Sequence, residues 1–286
     1  MFSVNMMTYK LVNNWPSNFN GALAGVTGIA VGSNGRVYVA GGDNSDIVVF
    51  DSNGSYVCSW GKDFLKGRHG LRIFNDQVWI TDIKLHQVFK CTLTGKVLEV
   101  FGRAGVPGMD IDQFNKPTDV AVAANGDIYV TDGYGNSRVI CFDSNGKYKF
   151  DWGNHGNRQG EFVYPHNIVI DKDNRIYIAD RGNNRVQIFD ANGKYFAEWT
   201  NVGQPYGLCY FNGKEQSVVF VTDGAAEGNQ NVFLVNQQGG ILGQFGGKGT
   251  EPGLFQTPHS IAVDSQQNIY VAEVTGKRVQ KFILTH

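Results

Sequence analysis

Three histidines, His69, His166 and His259, stand at one position of an internal repeat and recur in every second copy. Each copy opens with a proline or small residue stepping into an apolar run. The openings are Val26-Thr27-Gly28-Ile29-Ala30-Val31, Arg68-His69-Gly70-Leu71, Pro117-Thr118-Asp119-Val120, Pro165-His166-Asn167-Ile168, Pro205-Tyr206-Gly207-Leu208 and Pro258-His259-Ser260-Ile261. The second column therefore reads Thr27, His69, Thr118, His166, Tyr206, His259. Neutral imidazole ligates zinc, and three such ligands leave an open position for substrate or water. In a ring of six copies, alternate members lie roughly 120° apart, and equivalent side chains near the axis converge. The chain has six histidines, and three of them in one alternating column is not the pattern of scattered turn residues. The column predicts a zinc centre on His69, His166 and His259.

The elements that must position these side chains are short strands. Successive members of the column are 40 to 53 residues apart, and each copy divides into four strand-like runs, the period of a propeller blade. The fourth copy is the clearest. Asn167–Asp171 reads as an inner strand, Ile176–Asp180 as the second, Asn183–Phe189 as the third and Tyr195–Trp199 as the outer edge. Asn192-Gly193 supplies a hairpin turn before that last strand. Asn53-Gly54 and Asn145-Gly146 repeat the signal, and Thr94-Gly95 and Gln238-Gly239 replace it elsewhere. The sixth copy stops near Gln280-Lys281-Phe282 without a fourth strand. Tyr9–Trp15 resembles the outer strands ending at Trp60, Trp152 and Trp199, so it is expected to complete the last blade and cover its edge. The prediction is all-β: a single six-bladed propeller over residues 1–286, closed by an N-terminal strand.

Composition narrows the function. With 286 residues, 42% of them hydrophobic, the chain can bury a full core, and 37 glycines suit many tight turns. A net charge of −1 offers no basic field for a phosphate backbone, so no nucleic-acid partner is expected. No run approaches the apolar length of a membrane helix, and Met1–Thr8 lacks the pattern of a signal peptide. Cys58, Cys91, Cys141 and Cys209 fall in different copies with no CxxC pair. They read as free thiols, which points to a reducing, cytoplasmic setting with a secreted form as the alternative, and a monomer is expected.

The repeat unit Asn-x-Arg-Val-x-x-Phe, at Asn136–Phe142 and Asn183–Phe189, resembles the NHL repeat. Several strings are more specific: His69-Gly70-Leu71, Trp79–Lys90, Pro117–Val122, Asp132–Arg138, Pro165-His166, Ala179-Asp180-Arg181 and Pro258-His259. Together these cover most of the chain and resemble the peptidyl-α-hydroxyglycine α-amidating lyases. That resemblance implies a catalytic zinc on His69, His166 and His259, Tyr134 as base, and Arg181 as a substrate-binding group. It also implies calcium near Ile29 and Leu71. The chain departs from the family at Ala40-Gly41-Gly42-Asp43, which lacks a substrate-binding arginine, and at Ser260, which replaces a calcium-binding aspartate. The family's disulfide positions fall at or near Lys116, Gly135 and Ile188. Arg72 and Lys84 are candidates to replace the missing arginine as substrate-binding residues.

A phenol titrates near ~10, so Tyr134 needs a neighbouring metal or cation to act as a base. Arg181 and Lys84, the blade-two match of Tyr134, could supply that charge. The plainer reading has Tyr134 packing at a rim and Arg181 paired with a surface acid. A second column, Asp82, Asp132, Asp180, Asp223 and Glu273, repeats an acid in five copies, which marks a structural role in accepting turn N–H groups. His86 and His155 read as surface or packing residues, and Arg138, Arg185 and Arg278 as glue between blades.

The leading expectation is a zinc-dependent carbon–nitrogen lyase acting on a peptide or small-molecule carbinolamide. It would release an amide and glyoxylate or a related aldehyde. The alternatives are a non-catalytic NHL propeller binding protein or RNA, and a metal-dependent propeller hydrolase such as a lactonase. A scaffold has no need of the histidine column, and the lactonase type usually rests on acids and asparagines around calcium.

Overall fold

In a computed structural model of the chain, residues 2–4, 7–17, 19, 21–42, 46–213 and 216–285 are described. Met1, Asn5 and Met6 of the N-terminal segment and Asp43 of the arginine-less stretch lie outside them.

The described residues form six antiparallel sheets, and the fold is the expected six-bladed propeller. After β1 (Phe2–Val4) and β2 (Met7–Val12), the first blade is β3 (Leu23–Val31), β4 (Val37–Gly42), β5 (Ile47–Phe50) and β6 (Tyr56–Trp60). The second is β7 (Arg68–Phe74), β8 (Gln77–Asp82), β9 (Gln87–Thr92) and β10 (Val97–Phe101). The third is β11 (Asp119–Val122), β12 (Ile128–Asp132), β13 (Arg138–Phe142) and β14 (Tyr148–Trp152). The fourth is β15 (Pro165–Ile170), β16 (Ile176–Asp180), β17 (Arg185–Phe189) and β18 (Tyr195–Trp199). The fifth is β19 (Pro205–Asn212), β20 (Ser217–Asp223), β21 (Asn231–Asn236) and β22 (Ile241–Gly246). The last is β23 (Pro258–Val263), β24 (Ile269–Glu273) and β25 (Arg278–Thr285), completed by β2 and then β1. The second and third strands of a blade are packed on both faces, as in β12, β13, β16 and β17, where every residue is buried and the charged ones stand at strand ends. The outer strands are packed on one face and alternate, as in β14.

The N-terminal strand does complete the last blade, pairing Thr8 to Thr285 and Val12 to Lys281. It ends at Val12 rather than Trp15. Trp15 is instead buried beyond the strand, against Phe50 and Tyr270. The third strand of blade four also starts late, because Arg181–Asn183 forms a 3-10 turn. The Asn-Gly turns are longer than two-residue hairpins. The Asp190 carboxylate accepts from the Asn192 and Lys194 amides, Gly193 takes φ 76°, and a bulge follows at Ile188/Phe189.

The chain packs as two compact units, Phe64–Pro205 and Met1–Asp63 with Tyr206–His286. The first holds blades two to four. One of its cores joins Trp79, Val88 and Phe114 to Val130 and Phe142; another joins Tyr129, Cys141 and Phe162 to Ile178 and Phe189. The second unit buries Tyr9, Phe245, Phe255 and Phe282 together, and Trp15, Val39 and Phe50 with Tyr270. All four cysteines are free, Cys91 and Cys141 buried, Cys58 and Cys209 half-buried. No helix among the described residues is long and apolar enough to cross a membrane.

Candidate functional site

The histidine column is built by bulges. Pairing in the first hairpin of blades two, four and six slips between Arg68 and Leu71, between Pro165 and Asn167, and between Pro258 and Ser260. Each slip falls at the histidine, and a bulge re-aims the side chain it carries. All three histidines are buried, His69 and His166 in the unit Phe64–Pro205 and His259 in the other. The intervening column residues orient them. His69 Nδ1 lies 2.7 Å from the Thr118 carbonyl oxygen and His259 Nδ1 lies 2.7 Å from that of Thr27. A carbonyl can only accept, so Nδ1 carries the proton in both rings and Nε2 presents its lone pair, the arrangement of ligating histidines.

Within the unit Phe64–Pro205, the His69 and His166 rings are 4.9 Å apart and nearly perpendicular. The Tyr134 hydroxyl lies 2.9 Å from Nε2 of each. Arg181 donates from Nη1 to that same oxygen over 3.2 Å, and its guanidinium sits 5.2 Å over the Tyr134 ring and 5.4 Å over Tyr164. Glycine makes this closeness possible. A Cβ on Gly133 would lie 1.9 Å from the Pro165 carbonyl oxygen, so the Asp-Gly-Tyr loop can dock on the strand carrying His166 only without one. Imidazole nitrogens beside a phenol oxygen are a donor set suited to zinc.

Burial pushes the His69 imidazole down to about 4; the Thr118 carbonyl opposes this, while Arg181 and Arg68 add to it. The ring is therefore neutral at physiological pH, the form that binds metals. The unfolded chain takes this proton near ~6.5 and the folded chain only near 4. The metal-free protein is thus expected to lose stability as pH falls from 6.5 towards 4. Denaturant midpoints measured across that range, with and without His69→Gln, check it. An equal acid slope in the variant would assign the loss to other groups.

The expected site residues part company here. Lys84, Tyr134 and Arg181 line one cavity of about 510 Å³, a size suited to a small ligand. Arg72 does not line it. Its guanidinium donates to Asp119 Oδ2 over 3.0 and 2.5 Å and to Oδ1 over 3.2 Å, to the Asn167 side-chain oxygen over 2.5 Å and to the Ile168 carbonyl over 3.2 Å. Arg72 is thus a structural cation: burial pushes the Asp119 carboxyl up, and Arg72 pulls it back down. Arg72→Ala is expected to cost about 3–5 kcal/mol, because it leaves a buried carboxylate without its partner. Chemical denaturation reads this directly, and recovery of stability by Asp119→Asn in the same chain would identify the cause. A loss under about 1 kcal/mol would return Arg72 to the substrate candidates.

Besides the apolar Ile83, two polar lining residues escaped the sequence reading: Lys116 and Tyr164. Both precede the proline of a repeat opening, as does Thr257, and that shared place was the available signal. The acid column is structural, as expected. Asp82 accepts from the Lys66, Gly67, Lys84 and Leu85 amides, and Asp180 from Val163, Asn183, Arg185 and Gln187. The repeat arginines are more local than glue between blades. Arg138 pairs with Asp132 of its own blade and caps carbonyls of the preceding connection at Met109, Asp110 and Gln113. His86 accepts the Lys116 amide at Nδ1. In the other unit, the Ser260 hydroxyl accepts the Ile29 amide over 3.3 Å, at the place where calcium was implied.

Six blades, five of four strands and the last of five, with a histidine at the bulge of every second one define a repeat propeller. Residues 113–203 match a family described as a 6-bladed β-propeller, and residues 255–282 match the NHL repeat. NHL repeat-containing protein 3 of Mus musculus is 30% identical over 301 residues, covering 97% of this chain and 85% of that protein. The chain belongs to the NHL-repeat propeller family. A probable peptidyl-α-hydroxyglycine α-amidating lyase of Caenorhabditis elegans is 38% identical over 144 residues, which is 49% of this chain and 41% of that protein. The chain thus spans less than half of that amidating relative's length. Among solved structures, virginiamycin B lyase of Staphylococcus aureus matches with a TM-score of 0.61 at 18% identity, covering 96% of this chain and 88% of that one. That likeness concerns the fold.

Proposed function

We propose that this chain is a metal-dependent carbon–nitrogen lyase that cleaves the carbinolamide of a peptidyl-α-hydroxyglycine to a peptide amide and glyoxylate or a related aldehyde. One arrangement carries the reading: a tyrosine oxygen 2.9 Å from two buried imidazole Nε2 atoms and 3.2 Å from an arginine, beside a cavity. The kinship with named amidating lyases supports it.

His69, His166 and His259 would hold the ion, and zinc bound there would supply a Lewis acid that polarises the substrate hydroxyl. Tyr134, as phenolate, takes the hydroxyl proton. The O–H electron pair becomes the carbonyl π bond, and the C–N pair leaves on nitrogen. That nitrogen then takes the proton back from Tyr134, so the reaction consumes no water and returns the base to its starting form. The Arg181 guanidinium holds a positive charge beside the phenolate oxygen and can pair with the substrate carboxylate. Lys84, on the same cavity, adds a second positive charge for binding the substrate.

The test is metal content together with glyoxylate release from a hydroxyglycine-terminated peptide. Stoichiometric zinc with turnover is the expected result. Protein that takes up no zinc and releases no glyoxylate would overturn the reading in favour of a binding propeller.

A further inference from the structure

The cavity beside Tyr134 carries more positive charge than a single carboxylate can balance. Lys84, Lys116 and Arg181 line it with Ile83, Tyr134 and Tyr164, and no acid among the described residues does. The nearest column acids are turned inward: Asp82 accepts four backbone amides, and Asp132 bonds Asn136 and Arg138. Arg181 donates to the Tyr134 oxygen from Nη1, and neither lysine is in an ion pair with a described residue.

Both lysines are set in place by features that need explaining. A Cβ on Gly67 would lie 2.6 Å from Lys84 Cγ, so the lysine stem rests on a backbone kept bare for it. Lys116 and Tyr164 take φ 60° and 57°, the left-handed region, which costs an L residue free energy. Gly25, at the same place in the first repeat, takes φ 53° without that cost. The His86 ring further fixes Lys116 by accepting its amide over 3.0 Å. Thr257, at the same place in the sixth repeat, takes φ 57° as well, so the left-handed step belongs to the repeat and fixes where the Lys116 and Tyr164 side chains leave the backbone.

We infer that Lys84 and Lys116 form a second anion subsite, which selects substrates bearing an acidic residue next to the scissile carbinolamide. The identity of the scissile end rests on the lyase reading; the charge of the cavity does not. In this arrangement the terminal carboxylate lies at Arg181 and the neighbouring side-chain carboxylate between the two lysines, with Tyr164 as the apolar wall.

Binding can be read without turnover. Peptides ending in Glu-Gly and Gln-Gly lack the hydroxyl and are not cleaved, and calorimetry gives their affinities for the full chain. Glu-Gly is expected to bind about five- to ten-fold tighter at low salt. The preference should shrink as ionic strength rises and vanish in Lys84→Gln/Lys116→Gln. Equal affinities in the wild-type chain, or a preference that survives the double substitution, would overturn the subsite. A Glu-Gly preference without any turnover of the corresponding hydroxyglycine peptides would uphold the subsite and remove the lyase reading. Turnover with no acid preference would do the reverse.

Discussion

Tyr134→Phe is expected to lower turnover of a hydroxyglycine peptide by about 10²–10⁴, the range for loss of a general acid or base. The substitution removes one oxygen that lies 2.9 Å from both His69 and His166 and accepts from Arg181. The ring remains, so its stacking with Arg181 and with the two imidazoles should hold the loop in place. The fall should therefore appear in kcat, with KM little changed and zinc content intact. Glyoxylate release and metal analysis on the same preparation decide it. Turnover within about two-fold of wild type would reduce Tyr134 to a packing residue, since two-fold is far below any general-base contribution.

His166→Gln should abolish both metal binding and activity. His166 is fully buried with its Nε2 facing the Tyr134 hydroxyl, so the site cannot recruit a solvent-facing substitute from the same strand. Zinc at a thousand-fold excess over its dissociation constant should stabilise the wild-type fold by about 4 kcal/mol. That zinc-dependent rise in melting temperature is expected to disappear in the variant, along with stoichiometric metal. His166→Ala provides a second variant should the amide of Gln strain the pocket. Stoichiometric zinc retained in both would show that the metal is held elsewhere.

Much of the fold was legible because propeller blades advertise themselves locally. β16 and β18 follow directly from the alternation and apolar runs of Ile176–Asp180 and Tyr195–Trp199. The closing strand was visible for the same reason: Tyr9–Val12 carries an outer-strand pattern with no partner nearby in sequence. Its end was not, because Trp15 is placed by packing on Phe50 and Tyr270, residues distant in the chain. The late start of β17 depends on the Arg181–Asn183 turn, whose Asn184 takes φ 53°, a conformation that residue identity permits but does not require.

The candidate site divides in the same way. The sequence by itself determined the histidine column, because repetition converts position in the chain into position on a blade, whereas Tyr134 and Arg181 were singled out by the resemblance to the amidating lyases. It could not separate Arg72 from Lys84, since both lie near the column in blade two and both carry a charge. Only the tertiary structure decided that Arg72 turns inward to the buried Asp119 while Lys84 lies over Gly67 at the cavity. The physical reason is that a charge near a core goes where a desolvated partner demands it. Asp119 belongs to the next blade, 47 residues away in sequence. Lys116 and Tyr164 were hidden for a related reason. Their side chains reach the cavity through left-handed backbone that no local propensity encodes, held by amide contacts to His86 and Arg181 across neighbouring loops.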